Sequence, residues 1–204
     1  MTTVLVPLER LPRWVTNFEE RHGATELSVA DGALTGSATD GSTFAAHPPL
    51  DERYTGEPDV ESFARAIDPP TDWGVLLVRK GGFAVARLRA GDLVESKVGQ
   101  RHVQGRTKAG GQSQQRFARR RDNQARQAYE AAAEHAVRIL GSGPLTVVVG
   151  GDRSAVDEVL SDPRLKNVQV RGPWLPVPDP RRGILEQAVV DARSARVMVQ
   201  NQDG

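Results

Sequence analysis

Residues 108–121 read KAGGQSQQRFARRR, and this stretch joins two segments of opposite character. On its N-terminal side, residues 99–112 (GQRHVQGRTKAGGQ) are polar, basic and glycine-rich. They carry no apolar period, which predicts an exposed loop. On its C-terminal side, Phe117, Ala125, Ala128, Tyr129, Ala132, Ala136 and Leu140 fall on one face of a helix over 113–140. The arginines of the segment fall largely elsewhere, so the helix is basic in its first half and alanine-rich in its second. Gly141 and Gly143 stop it.

Upstream of the loop, VLLVR (75–79), FAVARL (83–88) and residues 93–98 are separated by the turns Lys80-Gly81-Gly82 and Ala90-Gly91-Asp92, the pattern of an antiparallel meander. Downstream, LTVVV (145–149) reads as a buried strand. Gly150-Gly151-Asp152 leads into a short helix over 154–160, followed by a strand at 168–170 and the proline-rich loop GPWLPVPDP (172–180). A last helix over 184–195 and a terminal strand at 196–200 complete an α/β domain, residues 73–204, with a mixed sheet and flanking helices. Residues 1–72 form an acidic N-terminal extension. In it a helix is predicted over 11–22, with Trp14, Val15 and Phe18 on its apolar face and Gly23 at its C-cap. Short strands surround Asp31-Gly32 and Asp40-Gly41, and a loop rich in proline and acid over 47–72 holds one short helix near 60–67.

The net charge of +1 hides a strong segregation. Residues 1–72 carry 5 Lys+Arg against 13 Asp+Glu, residues 73–126 carry 13 against 3, and residues 127–204 carry 9 against 10. The local excess of +10 in the middle block selects a polyanion as partner, with RNA or DNA backbone first. The absence of cysteine excludes disulfides, thiolate metal sites and a cysteine nucleophile, and fits a reducing compartment. No apolar run approaches the ~20 residues of a membrane span. The start, MTTVLVPLERLPRW, does not read as a signal peptide, so a cytoplasmic protein without membrane contact is expected.

The four histidines, His22, His47, His102 and His135, have no metal-ligand spacing, and neither metal nor cofactor is expected. Gly150-Gly151-Asp152 hints at a phosphate loop but lacks the lysine of G-x-x-x-x-G-K-[ST], so Asp152 reads as a helix N-cap. Trp14, Trp73 and Trp174 read as core or loop anchors, with base stacking by Trp174 as an alternative.

The chemistry therefore concentrates at 108–121. Paired glycines, Gly110 and Gly111, let the backbone adopt conformations closed to other residues and approach a ligand closely. Gln112 is neither acid nor base at neutral pH. Its side chain can position a water, and its backbone N–H can stabilise an oxyanion. GGQ followed by S-x-x-R-F-A-R (Ser113, Arg116, Phe117, Ala118, Arg119) at the opening of a helix resembles the middle domain of eukaryotic and archaeal class-one translation release factors. The resemblance covers about residues 73–200. The chain has no room for their decoding and partner-binding domains. In size it is similar to the stand-alone release-factor-like peptidyl-tRNA hydrolases, a bacterial group related to the eukaryotic tRNA hydrolase of ribosome quality control.

That resemblance implies an RNase-H-like middle-domain fold. It also implies hydrolysis of peptidyl-tRNA on stalled ribosomes or large subunits without stop-codon reading, by a monomer needing no cofactor. Gly110, Gly111 and Gln112 would be catalytic. Arg101, Arg106 and Lys108 in the loop, with Arg116, Arg119, Arg120, Arg121 and Arg126 on the helix, would hold ribosomal RNA and the tRNA. Two readings stay beside it: a non-catalytic ribosome- or RNA-binding rescue or regulatory factor, and a hydrolase of dissociated peptidyl-tRNA. The missing acid/base pair argues against the second.

Overall fold

A computed structural model describes residues 1–68, 70–100 and 112–202, with the side chains of all but Gln100 and residues 112–125. The chain divides into two compact units, Met1–Pro69 with Val189–Gly204, and Pro70–Ala188.

The first unit is an antiparallel five-stranded sheet with two helices. Its strands are β1 (Thr2–Pro7), β2 (Thr25–Ala30), β3 (Ala33–Ala38), β4 (Thr43–His47) and β10 (Ser194–Gln200), in the spatial order β1-β10-β4-β3-β2. Its helices are α1 (Leu11–His22) and α2 (Val60–Ala66). Helix α1 spans the residues predicted for it. It buries Leu11, Val15 and Phe18 and ends where the Gly23 N–H bonds the Glu19 carbonyl. Phe18 and Trp14 meet Phe44 edge-on at 5.1 and 5.3 Å, in a core shared with Leu34, Phe63 and Val197. Asp31 and Gly32 both have positive φ (52° and 80°), as the two-residue turn between β2 and β3 requires.

Two features of this sheet differ from the sequence reading. No strand is expected over residues 2–7, yet β1 forms its edge. The terminal strand, expected in the 73–204 domain, instead lies hydrogen-bonded between β1 and β4, with Val197 opposite Val4 and Ala46. Its alternation places Ala195 and Val197 in the core of the first unit. Alternation predicts a strand but not its partners, because pairing is a long-range property.

The second unit is a mixed sheet in the order β7-β6-β5-β8-β9. Strands β5 (Asp72–Arg79), β6 (Gly82–Arg89) and β7 (Asp92–Gln100) form the expected meander. The long α3 (Gln112–Leu140) crosses to β8 (Leu145–Gly151), which lies parallel to β5. Helix α4 (Arg153–Leu160) crosses to β9 (Val168–Val170), parallel to β8, and α5 (Arg182–Ala192) leads out of the unit. Residues 73–78 of the central strand are buried on both faces, which explains the continuous apolar run VLLV. On one face Leu76, Val78, Phe83, Val85, Val147 and Val149 pack under α3 and α4. Ala132 and Ala136 are fully buried, and their small side chains bring α3 close to the sheet. Helix α5 ends before the predicted 195 because the Ser194 hydroxyl caps the Val190 carbonyl and the chain enters β10.

Candidate functional site

Strand directions fix where the GGQ segment leaves and re-enters the second unit. β7 is antiparallel to β6, and β6 to β5, so β7 runs with β5 and β8. The carboxyl ends of all three therefore share one end of the sheet. Helix α3 returns from that end. Its Gln127 and Ala128 line a 740 Å³ groove with Gly82, Phe83 and Gly99.

Gln112 is the first residue of α3. Its backbone N–H is therefore among the first four of the helix, which have no intrahelical acceptor and carry the positive end of the helix dipole. Ala128 of α3 is buried, about 24 Å of helix beyond Gln112. Gly110, Gly111, Arg101, Arg106, Lys108 and His102 lie outside the described residues, as do the side chains of Gln112, Arg116, Arg119, Arg120 and Arg121. Of the predicted RNA-binding side chains, Arg126 is described, and it is exposed.

The same end of the sheet carries a cluster of polar side chains around the β8–α4 turn. Gly150 and Gly151 there are structural. A β-carbon on Gly150 would lie 2.5 Å from the Leu175 carbonyl oxygen, and Gly151 sits at φ +97° against the Val78 carbonyl oxygen. The Gly151 N–H donates to Leu175 at 3.0 Å, and the Asp152 N–H donates to Val78 at 2.8 Å. Asp152 occupies the N-cap position of α4 as expected but makes no capping bond. Its carboxylate turns instead to Arg79, 3.5 Å from Nε, and Arg79 also faces Asp179 at 3.9 Å and donates to the Val177 carbonyl. The Tyr129 hydroxyl, on α3, is pushed up from its ordinary pKa by burial and then by the charges of Asp152 and Glu158. Trp174 packs against the core and donates Nε1–H to the Gly151 carbonyl at 3.1 Å, with the Arg153 guanidinium 4.4 Å over its ring. Trp174 is thus the loop anchor the sequence suggests. Arg79 and Arg153 were not legible as partners of this loop: Trp174 lies 21 positions beyond Arg153, and no periodicity links them.

The described histidines have structural settings. His22 bonds Asp40 at 2.9 Å, and His135 stacks on Phe83 at 5.4 Å. Burial, then Lys97 and Arg138, pushes the His135 pKa down. Burial, then Arg196, does the same to His47. Among the described residues no group of His, Asp and Glu is placed to hold a metal ion, and no helix is long and apolar enough to cross a membrane.

The family model of acVLRF1, the Actinobacteria/chloroflexi VLRF1 release factor, matches residues 71–198. The chain belongs to that family, and the matched stretch contains the whole GGQ segment and all of the second unit's sheet. Membership carries a release-factor role in ribosome rescue and quality control, and with it association with the ribosome. Among solved structures, the Vms1 mitochondrial localization core aligns with 97% of this chain and 82% of its own at 9% identity, with a TM-score of 0.39. No curated protein matches.

Proposed function

We propose that this release factor hydrolyses the ester of peptidyl-tRNA on stalled ribosomes or large subunits, without reading a stop codon. The observation that carries the reading is the place of Gln112: it opens α3 directly after Gly110-Gly111, inside the stretch matched by the family. Its backbone N–H points along the helix dipole and has no helical acceptor, so it suits the oxyanion formed when water attacks the ester carbonyl. Gly110 and Gly111 let that backbone approach the reacting carbon. The Gln112 side chain orients the water and keeps larger nucleophiles out. As the tetrahedral species collapses, the bond to the 3′-ribose oxygen breaks, that oxygen takes a proton, and the peptide leaves as a carboxylate. Arg101, Arg106 and Lys108, with Arg116, Arg119, Arg120, Arg121 and Arg126, neutralise phosphates of ribosomal RNA and the tRNA acceptor end. The protein works as a cytoplasmic monomer without metal or cofactor.

The test is release of a labelled nascent peptide from large subunits holding peptidyl-tRNA, with no stop codon present. Wild type releases peptide, whereas Gln112→Ala binds the subunits and does not. Equal release by both overturns the role of Gln112. Binding without release by either makes the protein a non-catalytic rescue factor.

A further inference from the structure

We propose that Arg153 and Trp174 form a second RNA contact, a platform on which one unpaired base stacks beside the GGQ end of the sheet. This inference rests on the reading that RNA is the macromolecule the protein engages.

Three observations converge on the pair. The indole is held rigid by its Nε1–H bond to the Gly151 carbonyl and by its packing on the core, so it is preorganised. The Arg153 guanidinium lies 4.4 Å over that ring, and its side chain is otherwise exposed. Among the described residues no carboxylate pairs with Arg153, including Asp157 one helical turn on. An arginine ordered on an aromatic face, with its outer face and its donors idle, is the arrangement on which RNA bases stack and to which phosphates bond. The cation–π contact meets in advance the entropy cost of fixing a long side chain.

The surroundings fit a polyanion threading past. Asp152 and Asp179 both face Arg79, whose single positive charge offsets one of the two. Lys80 at the β5–β6 turn, Arg126 on α3 and Arg171 after β9 are exposed, and among the described residues none of them pairs with a carboxylate. The turn holding Lys80 and the β8–α4 turn lie at the sheet end from which the GGQ segment departs, and Arg126 immediately precedes the groove residues of α3 there. A strand reaching Gln112 thus has a stacking step and flanking cations within the same unit.

The test is direct binding of the full chain to a fluorescein-labelled single-stranded pentaribonucleotide at low salt, beside the same oligomer with abasic riboses. Wild type should bind the base-containing oligomer roughly tenfold more tightly than the abasic one, the size of one stacked base. Arg153→Gln and Trp174→Leu should lose that difference. Arg153→Lys should bind the abasic oligomer as wild type does, yet also lose the preference, because an ammonium keeps the charge without the plane. The platform is overturned by equal binding of both oligomers to wild type, by absence of pentamer binding, or by an undiminished preference in the Arg153 variants. Arg153 is exposed, so its variants keep the test sound even where Trp174→Leu disturbs the fold. Peptide release is not a readout, so failure of the hydrolase reading leaves this result interpretable.

Discussion

Replacing Gly151 by alanine separates a ligand-cradling glycine from one the backbone demands. At φ +97° an L-residue carries strain of about 1–2 kcal/mol. The added β-carbon would stand 2.2 Å from the Val78 carbonyl oxygen, so it must be relieved by moving backbone, since no flexible side-chain end is there to yield. Such movement displaces the Asp152 N–H bond to Val78 (2.8 Å) and the Gly151 N–H bond to Leu175 (3.0 Å), each with a net worth of about 1 kcal/mol. The expected loss is therefore about 3–4 kcal/mol, a large share of the stability of an ordinary domain. Urea unfolding followed by far-UV circular dichroism measures it. Gly143→Ala is the control: a β-carbon there meets nothing within 4 Å, so the change should be neutral or stabilising by under about 1 kcal/mol. If Gly151→Ala is no more destabilising than Gly143→Ala, the steric account of this turn is wrong.

Acidification through the histidine range should weaken the fold. The His135 and His47 pKa values are held below their ordinary 6.5 by burial, so between 6.5 and the folded values the unfolded chain binds more protons. Their contribution to stability is complete above pH 6.5 and falls as pH drops through that window, and His135→Phe, which keeps the stack on Phe83, should flatten part of the slope in urea titrations. Phe83→Ala should cost about 3–5 kcal/mol in the same assay, because the ring is buried beside Gly99 and beneath His135. Binding to large subunits should weaken by several powers of ten between about 50 and 200 mM salt if six or more cations touch phosphate. Arg116→Gln should reduce that salt slope by about one, measured by sedimentation or filter retention.

The elements whose information is local were legible in the sequence. Helix α1 declares itself through Pro12, the Trp14–Phe18 face and Gly23. The second half of α3 does so through Ala128, Ala132 and Ala136, and the meander through its glycine turns. The start of α3 was legible too: the helix expected over 113–140 runs from Gln112 to Leu140. The illegible features depend on distant residues. Nothing in SARVMVQ says that its neighbours will be TTVLVP and TFAAH rather than the sheet that precedes it in the chain. Likewise, Asp152 has the residue type and position of an N-cap, but Arg79 on another strand takes its carboxylate. Arg153 over Trp174 arises because Gly150 and Gly151 let the 172–180 loop lie against β8, a closeness visible only once the chain is folded.

The insertion of β10 between β1 and β4 sets an order of events during synthesis. Residues 48–193 are made after β4 and before β10, and until β10 emerges β1 faces β4 across an unfilled slot. The second unit, continuous from Pro70 to Ala188, has all its strands available earlier and can close first. The first sheet is then finished by its last-made strand, a long-range step of the kind that slows folding. A chain cut before Ser194 would keep the GGQ segment while leaving two strand edges bare and Ala195 and Val197 missing from a core, a template for aggregation rather than a smaller working factor.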